Sequence, residues 1–208
     1  MSKLLYIEAS PLKSRSHTVA VAQAFLQAYR AAHPEDEIEQ IDLWRLTLPP
    51  FDATALEAKF AVLRSNEFSP EQQETWESLR RISRHFNAAD KYVLSVPMWN
   101  FSVPYVLKHY IDVVTLPGEN WTWSRAKGYE TLLSGKKALA IHASANPHHE
   151  TGPGADDFQK PLVRRWLRFI GIEDVREITI APTLADPDTV ARLRADAIDA
   201  ARRLAPDF

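Results

Sequence analysis

Short apolar runs alternate along the chain with longer stretches in which apolar residues recur at helical spacing. Five runs predict strands, at residues 4–7, 37–43, 92–96, 137–142 and 175–180. Helical spacing predicts intervening helices that begin near residues 18, 69, 102, 158 and 188, with a further short helix in the polar segment 53–66. Alternating strands and helices form βαβ units, so the pattern predicts an α/β fold with a parallel sheet covered on both faces.

Residues that start or stop helices agree with this order. Ser69 followed by Pro70 is a favourable helix start, and Gly171 is placed as the C-terminal cap of the helix over residues 158–170. Residues 116–133 have no clear period, and we expect an exposed loop there that carries Trp121 and Trp123.

Composition narrows the possible functions. The chain has 208 residues, and 25 Lys and Arg against 27 Asp and Glu give a net charge of −2, which argues against a basic surface for nucleic acid or a membrane. The absence of cysteine excludes disulfides, thiolate nucleophiles and iron–sulfur clusters. We expect one domain over residues 1–208, located in the cytoplasm, because no run is apolar enough for a signal peptide or a membrane span.

Ligands of such sheets bind beyond the carboxyl ends of the strands, near the point where strand order reverses. Three predicted loops lie at that edge, at residues 9–18, 97–102 and 143–154.

The first loop runs directly into a helix and suits a phosphate. Its hydroxyls at Ser10, Ser16 and Thr18 would join the unpaired N–H groups of the helix start, and Lys13 and Arg15 would add charge. The glycine patterns of a dinucleotide-binding turn or a P-loop are absent, which favours a mononucleotide phosphate. The alternative is that one serine caps the helix and the others are solvated.

The second loop suits a planar heteroaromatic ligand. Met98, Trp99 and Phe101 offer apolar faces, and Asn100 with the local backbone offers hydrogen-bonding groups for the edge of a ring. The alternative is that these aromatic side chains seal the top of the core.

The segment PMWNFSVPYVLKHYIDVV resembles the corresponding strand–loop–helix of the FMN-dependent NADH:azoreductases, a flavodoxin-like family that also reduces quinones. KLLYIEASP with SRSHT, Gly135-Lys136-Lys137-Ala138 and Phe169-Ile170-Gly171-Ile172 extend the resemblance in order over nearly the whole chain. It implies a flavodoxin-like doubly wound sheet of five parallel strands in the order 2-1-3-4-5, and FMN as the bound cofactor.

The resemblance also implies roles for residues of the three loops. It implies that the phosphate and ribityl region of FMN binds to Ser10, Ser16, His17 and Thr18. It implies that the isoalloxazine ring binds to Met98, Trp99, Asn100 and Phe101. The third loop departs from the family pattern Ser-Arg-Gly-Gly, because it reads His-Ala-Ser-Ala-Asn-Pro over residues 142–147. Without the glycines, Ser144 and Asn146 are the expected replacement donors.

The activity implied is a ping-pong oxidoreduction in which NADH or NADPH reduces the flavin and a quinone or azo compound then reoxidises it. The choice between the two nicotinamide donors stays open. The resemblance further implies a homodimer with active sites at the subunit interface. The alternatives are an electron-transfer module that binds FMN and a hydrolase, but the latter lacks the Gly-x-Ser-x-Gly motif and a two-metal carboxylate site.

Three further residues are candidates for the substrate pocket. Trp121 and Trp123 would form a wall over the flavin, or else pack within their loop or in a dimer interface, and His148 would line the mouth of the pocket. His142 and His148 are candidate proton donors. We predict no metal site, because His148-His149-Glu150 lacks the spacing of a preformed zinc site.

Overall fold

The computed structural model describes all 208 residues. Its seven strands are β1 (Lys3–Glu8), β2 (Glu37–Asp42), β3 (Lys91–Pro97), β4 (Trp121–Ser124), β5 (Gly128–Thr131), β6 (Lys137–Ala143) and β7 (Asp174–Ile180). Five of them form one sheet in the order β2-β1-β3-β6-β7, and every pair in it is parallel. The predicted α/β class and the predicted order of the five strands are confirmed, since β4 and β5 form a separate hairpin.

Six α-helices connect the strands: α1 (His17–Ala32), α2 (Ala53–Arg64), α3 (Pro70–Asn87), α4 (Tyr105–Val114), α5 (Gln159–Phe169) and α6 (Pro187–Leu204). Successive side chains of β1 lie on opposite faces of the sheet and contribute to two cores. Leu4 and Tyr6 pack in the core that includes α1 and α6, whereas Leu5 and Ile7 pack in the core that includes α3, α4 and α5. The burial of apolar side chains on both faces is the reason that the central strands β1, β3 and β6 read as nearly continuous apolar runs.

The predicted helix ends are confirmed. The Ser69 hydroxyl accepts a hydrogen bond from the amide of Gln72, and the Gln72 side chain accepts one from the Ser69 amide, which completes a capping box. Gly171 follows α5 with φ of +100°, and a Cβ at that position would lie 2.0 Å from the carbonyl oxygen of Leu133. Only glycine satisfies both conditions.

The segment 116–133 differs from the exposed loop that its sequence predicts. It contains the antiparallel hairpin of β4 and β5, and Trp121 is only 5% exposed. The indole packs against the rings of Tyr129 and Phe169, at centroid distances of 5.5 and 5.4 Å. The hairpin is too short for a visible alternation, and its burial depends on α5, which lies far along the chain.

The parallel register brings the carboxyl ends of the strands to one edge. Glu8 is level with Asp42 of β2 and Ser95 of β3, and Pro97 is level with Ala143 of β6. The loops that follow β1, β3 and β6 therefore meet there, as the sequence predicts. No helix has the length and apolar character that crossing a membrane requires.

Candidate active site

The loop after β1 forms a cradle of hydroxyl and N–H groups at the start of α1. Ser16 is the N-cap of α1, and its Oγ accepts a hydrogen bond from the amide of Val19 and lies 3.1 Å from Oγ1 of Thr18. The amides of His17 and Thr18, in the first turn of α1, donate to no acceptor in the chain. Such a helix start, with its partial positive charge, favours an anion.

The hydroxyl of Ser10 lies in the same loop and has no hydrogen-bond partner, although the residue is only 1% exposed. A buried polar atom without a partner costs free energy unless a ligand satisfies it. The loop therefore supplies an adjacent pair of hydroxyls at Ser16 and Thr18 and an unsatisfied hydroxyl at Ser10, which are groups that suit a phosphate.

The side chain of His17 is directed to a different neighbour. Its ring lines an open groove against α6, together with Val190 and Arg194. Burial lowers the pKa of His17, and the charge of Arg194 lowers it further, so the ring tends to be neutral. Within the cradle, the backbone amide of His17 is thus the group available to an anion.

The loop after β3 is a tight reverse turn. The amide of Trp99 donates to the carbonyl of Ser102 and the amide of Ser102 donates to the carbonyl of Trp99, at 2.9 and 3.0 Å. Asn100 and Phe101 occupy the two central positions with φ of +46° and +69°, as a type I′ turn requires. Asparagine tolerates this conformation, but for phenylalanine it is strained, and such strain concentrates at functional sites.

This turn exposes the groups that the sequence predicts for a ring-binding site. Trp99 is 37% exposed and Phe101 is 51% exposed, and the amides of Asn100 and Phe101 donate to no acceptor in the chain. Met98, just before the turn, is half-buried, and its amide donates to the carbonyl of Ala143 at 2.7 Å. The four residues Met98–Phe101 therefore offer apolar faces and free N–H donors on one surface.

Two aromatic residues that sequence reasoning missed flank this turn. The rings of Trp44 and Tyr105 lie 5.6 and 6.3 Å from the ring of Trp99. The indole N–H of Trp44 also donates to the carbonyl of Ala9 at 3.0 Å, which links the aromatic turn to the first loop. Trp44 follows the second predicted strand, so its position at a strand end was the signal available in the sequence.

In the loop after β6, the two expected donors differ in availability. Ser144 is buried, its hydroxyl donates to the carbonyl of Asn146, and its amide donates to the carbonyl of Ile180. Asn146 is exposed, and its side-chain amide has no partner in the chain. The amides of Ala145 and Asn146 are also free, so Asn146 and the local backbone are the donors that this loop offers.

His148, the residue expected at the mouth of the pocket, lies beside the turn. Its ring meets the ring of Phe101 edge-on at 5.8 Å, and its Nδ1 is 2.8 Å from Oδ2 of Asp156. The hydrogen bond from His148 holds the pKa of the Asp156 carboxyl below its usual range. Glu150, which follows the two histidines, bonds instead to Arg164.

Three of the sequence-predicted residues do not join this cluster. Trp121 and Trp123 lie in the hairpin after α4, at the edge where β6 and β7 begin, so the structure does not bring them to Met98–Phe101 of the same chain. His142 is fully buried on the face covered by α5, with Nε2 3.7 Å from Oε1 of Glu177. It has no exposed face from which to donate a proton to a ligand.

The edge thus combines an anion cradle with an exposed aromatic turn, both on a doubly wound parallel sheet. A model of the Flavodoxin_2 family, described as a flavodoxin-like fold, matches residues 2–204. The chain belongs to this family. This family match agrees with the resemblance to the azoreductases that the segment PMWNF indicates.

Proteins that are similar to this chain match it over nearly its full length. An FMN-dependent NADH:quinone oxidoreductase of Burkholderia lata is 42% identical over 213 residues, which cover 100% of both chains. The crystal structure of an azoreductase from Bacillus anthracis superposes with a TM-score of 0.88 at 25% identity over 100% of both chains. An FMN-dependent NADH-azoreductase of the same species, solved in complex with FMN, gives 0.82 at 29% identity over 99% of this chain and 100% of that one.

Proposed function

We propose that the protein is an FMN-dependent oxidoreductase that uses NADH to reduce quinones and aromatic azo compounds. The observation that carries the proposal is the unpartnered, buried hydroxyl of Ser10 in a cradle that the same sheet edge joins to the aromatic turn at Trp99. The names of full-length relatives support the choice of FMN, NADH and quinone.

The residues present fit FMN. Ser10, Ser16 and Thr18, with the free amides of His17 and Thr18, would hold the phosphate. Met98 and Trp99 would contact the face of the ring, and the free amides of the turn would donate to its edge. On the third loop, Asn146 would take the place of the family glycines.

FMN, when bound, supplies the redox chemistry by accepting a hydride from NADH and passing two electrons to the acceptor. The chain contributes binding and orientation of the ring, through the exposed aromatic side chains and free amides of the turn after β3. The imidazole of His148 lies at the turn and is the candidate to move a proton to the acceptor, since His142 is enclosed.

We further propose a homodimer with its active sites at the subunit interface, in one cytoplasmic domain over residues 1–208. Exposed aromatic side chains support an interface: Phe60, Trp123 and Tyr129 line one apolar surface around the hairpin. Of the two tryptophans proposed for the substrate pocket, the exposed Trp123 would then reach the pocket of the partner, whereas Trp121 is buried within its own subunit.

The test is direct. The purified protein should be yellow, release FMN on denaturation, lose its colour with NADH in the absence of oxygen, and regain it with menadione or methyl red. Bleaching without reoxidation by either acceptor would favour the electron-transfer module, and a colourless protein that does not take up FMN would refute the assignment. Comparing NADH with NADPH in the same assay identifies the preferred donor.

A further inference from the structure

Next to the phosphate cradle lies a partly buried charge cluster that the proposed chemistry does not use. Glu8, the last residue of β1, is 3% exposed, and its Oε1 accepts a hydrogen bond of 2.7 Å from Nζ of Lys13. The same Nζ lies 2.5 Å from Oδ1 of Asp42 at the end of β2. One ammonium is thus shared between two carboxylates.

Both carboxylates accept further hydrogen bonds from within the chain. Glu8 Oε2 accepts a hydrogen bond from Nε2 of Gln40 at 3.1 Å, and it lies 3.4 Å from the hydroxyl of Tyr6. Asp42 Oδ1 accepts a hydrogen bond from the amide of Trp44 at 3.0 Å. The cluster is therefore organised before any ligand arrives.

Lys13 is held in an unusual backbone conformation. Its φ is +52°, a left-handed value that costs a side-chain-bearing residue free energy, on the order of 1–2 kcal/mol. Its carbonyl accepts a hydrogen bond of 2.9 Å from the amide of Ser16, the residue that caps α1. The conformation of Lys13 therefore sets the position of Ser16.

Burial by itself lowers the pKa of Lys13, but hydrogen bonds to Asp42 and Glu8 outweigh this effect and raise the pKa above its usual value. The ammonium is consequently charged, and it forms ion pairs with the two carboxylates. The sequence predicts that Lys13 adds positive charge for a phosphate, and the contacts of Lys13 instead neutralise buried acid. Arg15, in contrast, is exposed and makes no ion pair in the structure.

We infer that Lys13 is a positioning residue: its ammonium, clamped between Glu8 and Asp42, holds the left-handed turn that presents Ser16 and the first amides of α1 to the phosphate of FMN. This inference rests on the proposed function, since it concerns how the chain binds that cofactor. By charge alone, Glu8 and Asp42 would weaken the binding of an anionic phosphate. The inference predicts instead that both acids strengthen it.

The test measures FMN and riboflavin dissociation constants of the apoprotein by quenching of flavin fluorescence. Glu8→Gln and Asp42→Asn each remove a negative charge near the phosphate, yet we expect both to weaken FMN binding, by about tenfold. Asp42→Asn is included because Glu8 is buried and its replacement endangers folding. Arg45→Gln is the matched control, since Arg45 is an exposed cation 3.5 Å from Asp42 that does not contact the loop turn.

Two comparisons separate positioning from direct contact. Lys13→Gly, which adopts a positive φ without strain, should weaken FMN binding less than Lys13→Ala does. Riboflavin, which lacks the phosphate, should bind all variants within about twofold of the wild type.

Tighter FMN binding by Glu8→Gln or Asp42→Asn would overturn the inference, because it would mean that a freed Lys13 grips the phosphate. Equal losses in the glycine and alanine variants, or equal losses for riboflavin and FMN, would also overturn it. These outcomes differ from failure of the proposed function, in which the wild-type apoprotein itself does not bind FMN.

Discussion

The amide of Phe158 donates a hydrogen bond of 2.9 Å to the carbonyl of Phe101. This contact joins the end of the loop after β6 to the strained turn after β3, across a separation of more than fifty residues. The two loops that would enclose the flavin ring are therefore held to each other by the backbone. A rigid pair of loops orients a ligand better than two independent ones, since less freedom is lost on binding.

The left-handed conformation at Asn100 can be tested by substitution. Asn100→Ala should lower the free energy of unfolding by about 1 kcal/mol, because a Cβ without a compensating polar group is disfavoured at positive φ. Asn100→Gly is the control and should stay within a few tenths of a kcal/mol of the wild type. Urea unfolding of the apoprotein measures both, and equal stability of the two variants would argue against the turn described above.

The unpartnered hydroxyl of Ser10 should affect binding and stability differently. Ser10→Ala should leave the apoprotein as stable as the wild type or slightly more stable, because it removes a buried polar atom without a partner. FMN binding should weaken by about tenfold, since the hydroxyl would donate to a charged phosphate. Ser14→Ala, an exposed position on the same loop, is the control. Loss of stability without loss of affinity would mean that the hydroxyl serves the fold.

Glu177 should make the fold sensitive to acid. Burial alone raises the pKa of Glu177, but His142 and a 2.6 Å hydrogen bond from Arg164 outweigh it and lower the pKa to about 2. The unfolded chain binds this proton near pH 4.5, so the folded state loses the contribution as the pH falls from 4.5 to about 2.

The loss of unfolding free energy between pH 7 and pH 3 should therefore be smaller in Glu177→Gln than in the wild type, by on the order of 2 kcal/mol. Urea unfolding at the two pH values measures this difference. Glu173→Gln, an exposed carboxylate without an ion pair, should behave as the wild type does. An identical acid profile in Glu177→Gln and the wild type would contradict the prediction.

The two tryptophans of the hairpin should differ sharply. Trp121→Ala should cost about 3 kcal/mol or more, because the indole is buried against Phe169. Trp123→Ala should change the unfolding of the subunit by less than about 1 kcal/mol, since the side chain is 48% exposed, and should weaken self-association.

Sedimentation velocity and acceptor kinetics measure the effect of Trp123→Ala. If the variant forms an unchanged dimer with unchanged quinone and azo kinetics, Trp123 contributes to neither the interface nor the pocket. A wild-type protein that stays monomeric would refute the homodimer itself.

The sequence by itself determined the order of the elements and the edge at which the site lies. Apolar runs and helical spacing are local patterns, and parallel strands joined through helices leave their carboxyl ends together whatever the details of packing. The segment from Met98 to Phe101 was informative because its side-chain types and its place after a strand both point to a ring-shaped ligand. Family membership then follows from the same residues in the same order.

Only the tertiary structure decided which of those groups are free to act. Lys13 meets Glu8 and Asp42, Ser144 bonds within its own loop, and Trp121 is buried by a helix distant in the chain. The contacts of Lys13 and Trp121 join residues distant in the chain, the contact of Ser144 depends on the path of its own loop, and none of them leaves a period in the sequence. The left-handed backbone at Lys13 and Phe101 is likewise imposed by surrounding hydrogen bonds, against the local preference of both residues.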